Sequence, residues 1–128
     1  MVIDNSPPCQ EKYVMRRDSV AEKKFLAAIW LRDRGRDRCT GQRLERLTDD
    51  WNRLGDVAHI LAKSTSPQLR YATSNACLLS RASHILSDGR GGYLLKIEGD
   101  ADGELTFRRY ARDGTLLWTR VSPCPIKK

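Results

Sequence analysis

Two Asp-Gly pairs, Asp102-Gly103 and Asp113-Gly114, separate three runs of alternating residues at 93–97, 105–110 and 115–121. Asp-Gly accepts the backbone conformation of tight hairpin turns, and alternation puts every second side chain on one face. Together they predict an antiparallel meander over 93–121 with one face on the core. Upstream the period is helical. Phe25, Leu26, Ile29 and Trp30 share one face, after a capping-box start at Ser19-Val20-Ala21-Glu22. Arg32 and Arg34 suit a helix C-terminus, and Gly35 closes the segment. Helix first and meander last make this an α+β chain. Residues 1–18, with Pro7-Pro8 and little periodicity, read as an irregular arm. Residues 19–122 read as a single domain without internal repeats.

Between helix and meander lies the stretch that carries chemistry, residues 56–89. It contains both histidines of the chain, His59 and His84. Residues 57–61 are apolar and β-branched enough for a strand, with His59 inside it. Residues 63–67 are loop by composition, and 69–71 suggest a further short strand. Asn75 stands where a helix N-cap is wanted, ahead of a stripe of Cys77, Leu78, Leu79, Ala82, Ile85 and Leu86. Gly89 ends that helix. A strand–loop–helix unit then presents a histidine, an asparagine and a second histidine. A neutral imidazole is a base near pH 7, and a hard divalent ion stabilises charge on phosphorus, so this set suits phosphodiester hydrolysis.

Composition supports a polyanionic substrate. The formal charge is +7 at pH 7, with 40% hydrophobic and 30% charged residues, values of a globular domain attracted to nucleic acid. No apolar run is long enough to span a membrane. The first residues lack the apolar core of a secretory signal, so a cytoplasmic protein is expected. Cys9, Cys39, Cys77 and Cys124 show no C-x-x-C spacing, which indicates neither a zinc ribbon nor a disulfide framework. Cys77, on the apolar stripe, reads as a buried and inert thiol. Trp51 reads as a satellite core residue in preference to a stacking platform.

The segment D-V-A-H-I, 56–60, followed by N-A-C-L-L-S-R-A-S-H, 75–84, and I-L-S-D-G, 85–89, resembles the HNH endonucleases of the ββα-metal class. The upstream R-D-R-C-T-G, 36–41, is similar to the family's lead-in, in compressed form. The resemblance spans roughly residues 22–98 and is specific over 56–88. It implies metal-dependent hydrolysis of DNA, double-stranded by expectation, with His59 as general base. Asn75 would hold the histidine or its loop. His84 and Asp56 would hold one divalent metal, with Asp88 a further ligand or a partner orienting His84. Magnesium is the first expectation, with manganese, zinc and nickel as alternatives. Lys63, Arg70, Arg81 and Arg90 would contact phosphates. A homodimer is expected where both strands are cut.

Two departures qualify the resemblance. Many members bind a structural zinc through two cysteine pairs; here Ser80 and Ser83 stand at the second pair, and the first keeps only Cys39. No structural zinc is therefore expected. Many members also place an acid directly before the first histidine, where this chain has Ala58. The alternatives are a catalytically silent nucleic-acid-binding module on the same scaffold and an RNA-directed toxin nuclease. Metal dependence and 2′-OH dependence separate the latter from a DNA enzyme.

Overall fold

The computed structural model describes residues 19–61, 66–88 and 94–125. The expected N-terminal arm, Gly89 and Tyr93 lie outside them. Helix α1 (Ser19–Arg32) buries Phe25 and Ile29, the face its spacing predicts. Strands β1 (Gly55–His59) and β2 (Ala76–Ser80) form an antiparallel hairpin, with Val57 opposite Leu78 and His59 opposite Ala76. Helix α2 (Arg81–Ser87) follows directly. Strands β3 (Leu95–Gly99), β4 (Leu105–Tyr110) and β5 (Leu116–Ser122) make a second antiparallel sheet in that order. The chain is thus α+β, with both Asp-Gly pairs at the reversals of the expected meander. No described helix is long and apolar enough to cross a membrane.

One expectation is corrected in the middle of the chain. The apolar run after Asn75 is not the first half of a helix; residues 76–80 are strand β2, buried at every position. Its two faces serve different cores. Ala76 and Leu78 pack with Phe25, Ile29 and Leu44 under α1. Cys77 and Leu79 pack with Ala58, Leu95, Leu105 and Phe107 under the meander. A strand covered on both faces reads as a continuous apolar run, which periodicity cannot tell from a buried helix. Each buried leucine contributes about 1.5–3 kcal/mol over its exposed state. The helix starts later, where the Ser80 hydroxyl accepts the Ser83 N–H at 3.2 Å as N-cap. Asn75 is therefore not a cap. The short strand expected at 69–71 is replaced by a 3₁₀ turn at Pro67–Leu69, whose proline supplies the helical φ and no N–H.

The outer edge of β2 is covered by charged side chains in place of a third strand. After α1, Arg34 and Gly35 both take positive φ, 57° and 67°, and the chain turns back along β2. The Arg38 N–H donates to the Leu78 carbonyl at 2.9 Å. The Leu78 N–H donates to Asp33 and the Ser80 N–H to Asp37, each at 2.9 Å. The Arg32 guanidinium reaches the Ala76 carbonyl at 2.7 Å. Asp33 and Asp37 thus satisfy edge amides that burial removes from water. Asp33 lies between Arg32, at 2.8 Å, and Arg38, at 3.1 Å. Arg38 continues to the carbonyls of Ala101 and Gly103 and to the Ser122 hydroxyl, fastening the meander to the hairpin.

Candidate active site

A cleft of about 600 Å³ opens between α1, the hairpin and α2. Its lining includes Asp56, His59, Arg70, Arg81, His84 and Trp51. Five of these six were marked by the sequence for chemistry, and the fold gathers them at one opening. Asp56 comes from β1 and His84 from α2, which the hairpin register brings side by side. The His84 Nδ1 lies 3.1 Å from the Asp56 Oδ2. Arg81, at the first position of α2, donates to both Asp56 oxygens at 3.0 and 3.1 Å, a fork geometry that a carboxylate matches.

Burial pushes the Asp56 carboxyl up, but hydrogen bonds from His84 and Arg81 and the Arg81 charge outweigh it and hold the group below its ordinary value. A depressed carboxyl pKa contributes stability above the unfolded value of 3.8, and that contribution is lost as pH falls through the folded value. In EDTA, Asp56→Asn is expected to lower the urea midpoint at pH 7, and that difference is expected to shrink as pH falls below 3.8 toward the depressed folded value. A difference independent of pH would contradict this assignment.

His59 closes β1. Its ring stacks on Phe25 of α1 at 5.7 Å between centroids. Its Nε2 lies 2.9 Å from the Arg70 carbonyl. A carbonyl only accepts, so Nε2 carries the proton and Nδ1 is the basic nitrogen of the neutral ring. Asn75 acts on the next segment. Its Oδ1 accepts the Leu61 N–H at 2.9 Å and its Nδ2 donates to the Leu61 carbonyl at 3.0 Å. The Ile60 N–H bonds the Asn75 carbonyl at 2.8 Å. The chain leaving His59 is thus clamped to the start of β2.

The remaining marked residues are placed as follows. Asp88 is the C-cap of α2 and is not among the residues lining the cleft. Lys63 and Arg90 lie outside the described residues. Ala58 is buried among Cys39, Cys77 and Leu79, so its position faces core and not solvent. Burial pushes the Cys77 thiol well up, as an inert thiol requires. Ser80 and Ser83, at the positions of a cysteine pair, bond one another in the α2 cap. Trp51 corrects an expectation. It is 53% exposed at the cleft rim, not part of a core. Its signal in the sequence was its immediate setting, an indole inside the polar run Asp49-Asp50-Trp51-Asn52-Arg53.

Among the described residues, no group of three or more His, Cys, Asp or Glu side chains is placed to hold a metal ion. Asp56 and His84 nevertheless form a two-donor set. Neighbouring ligands of an octahedral ion with bonds of about 2.0–2.1 Å stand roughly 3 Å apart, and such ions keep several waters. Asp56 and His84 are thus close enough to share a divalent ion completed by water and phosphate oxygens, but only once the Nδ1–H and Arg81 hydrogen bonds on Asp56 give way to it. No family model, curated protein or solved structure matches this chain.

Proposed function

We propose that the protein is a metal-dependent endonuclease of the HNH type that hydrolyses DNA phosphodiester bonds in this cleft. One observation carries the reading: an Asp56–His84 pair and a tautomer-fixed His59 line the same opening of a strongly basic chain. His59 takes a proton from the attacking water at Nδ1, while its Nε2–H stays on the Arg70 carbonyl. Asn75 is a positioning residue that keeps the segment after His59 in register. Asp56 and His84 would hold the divalent ion, magnesium first, which would supply a positive centre for the developing charge and the leaving oxygen. Arg81 and Arg70 orient the phosphate backbone.

A catalytically silent DNA-binding module is the second reading, favoured by a specific contact. Both oxygens of Asp56 accept from Arg81, so this carboxylate must exchange a partner before it holds an ion. Incubation with supercoiled plasmid decides between them. Nicking is expected with magnesium or manganese and is expected to stop in EDTA. DNA binding with no cutting under any divalent metal would select the silent module. Cutting of RNA in EDTA, with plasmid untouched, would select the toxin nuclease. Linearisation in a single encounter would indicate a homodimer.

A further inference from the structure

Trp51 stands at the cleft rim and is 53% exposed. An exposed tryptophan leaves one of the largest apolar surfaces in a protein in water, and such surface is worth covering. Its backbone is nonetheless held firmly. The Ala82 N–H of α2 donates to the Trp51 carbonyl at 3.1 Å, and the Arg81 N–H to the Leu54 carbonyl at 2.9 Å. Asp50 tightens the same turn, accepting the Asn52 N–H on its side chain at 2.9 Å and the Arg53 and Leu54 N–H groups on its carbonyl, both at 2.9 Å. The ring projects from a fixed backbone, so only its side-chain rotation remains to be ordered when something lies on it. The Arg81 guanidinium sits 5.8 Å from the ring centroid while bound to Asp56. A flat apolar face, an adjacent cation and the candidate site's carboxylate therefore occupy one corner of the cleft.

Resting on the nuclease reading, we propose that Trp51 is a stacking platform for a nucleobase, and that the substrate is DNA presenting an unpaired base beside the scissile phosphate. Bases within a duplex are already stacked on both faces. Only a single-stranded, terminal or extruded base offers a face to an indole. The charge of +7 and the neighbouring Arg81 favour a phosphate-bearing occupant over an apolar peptide. Arg81 then has two tasks: it flanks the stacked base and it meets the phosphate next to that base.

The test is binding by the full chain carrying His59→Ala, in EDTA, to a short single-stranded DNA and to its blunt duplex, each labelled with 2-aminopurine. The single strand is expected to bind more tightly, with quenching of the 2-aminopurine by stacking. Adding Trp51→Ala is expected to weaken single-strand binding by about 5- to 150-fold, the range for loss of one stacked base, while Trp51→Phe retains most of it. Equal single-strand affinity with and without Trp51 would overturn the platform and leave the nuclease reading standing. An equal loss on both DNAs would place Trp51 on the backbone and overturn the substrate class. Failure of the parent variant to bind any DNA would overturn the nuclease reading and this inference with it.

Discussion

Replacing His59 with alanine is expected to reduce metal-dependent plasmid nicking by about 10²–10⁴-fold, the range for losing a positioned general base. Three features specify the size of the effect. The Arg70 carbonyl selects the tautomer, the Phe25 ring fixes the plane of the imidazole, and the Asn75 clamp on Leu61 fixes the backbone beyond it. Alanine keeps the strand pairing with Ala76, so DNA binding is expected to persist, and added imidazole is expected to restore part of the rate. His84→Ala and Asp56→Asn are expected to act differently, raising the metal concentration needed for half-maximal rate. Asp88→Asn, away from the cleft lining, is expected to change that concentration little. A rate for His59→Ala within about threefold of the parent would remove His59 from the mechanism, since a lost general base costs at least about 10²-fold.

The candidate residues that the cleft gathers were legible because two of them are rare in this chain. The chain has two histidines, so their spacing around Asn75 stands out against any background. The meander was legible too, because Asp-Gly pairs and alternation are local signals that tertiary structure did not override. The middle of the chain was not. Residues 76–80 lie between two cores, and full burial erases the alternation that would mark a strand. The roles assigned by spacing shifted accordingly: Ser80 caps α2, and Asn75 bonds Leu61. In the charged segment R-D-R-G-R-D-R at 32–38, Asp33, Asp37 and Arg38 are buried, which its composition does not suggest. What a single sequence hides there is the partner: the amides that Asp33 and Asp37 accept belong to Leu78 and Ser80, more than forty positions away. The one hint is the repeat itself, two aspartates each flanked by arginines, which suits an ion network as well as a surface.

That network supports the second large expectation. Asp33→Ala is expected to destabilise the fold by about 3–5 kcal/mol, the cost of breaking a buried ion pair from one side. The substitution leaves Arg32 and Arg38 facing each other without the carboxylate between them, and it orphans the Leu78 N–H. A domain of this size has about 5–15 kcal/mol in total, so the denaturant midpoint should fall by a large fraction or the protein should fail to fold. Asp37 tests a different part of the same device. Its two oxygens accept the N–H groups of Cys39, Thr40 and Ser80 at 2.7, 2.9 and 2.9 Å, joining the turn after α1 to the end of β2. One carboxylate thus makes the connection between that turn and the strand end. Asparagine at 37 keeps the size but must turn an amide NH2 toward at least one of those donors, so Asp37→Asn is expected to cost about 1.5–3 kcal/mol, the scale of a charge-assisted hydrogen bond. Ser80 is also the N-cap of α2, so loosening Asp37 loosens the helix that carries Arg81 and His84. Asp37→Asn is therefore expected to weaken the Asp56–His84 pairing as well as the fold, readable as a raised metal requirement at a temperature where the variant is still folded. A variant with an unchanged denaturant midpoint would show that the turn and β2 are held together by the apolar core alone.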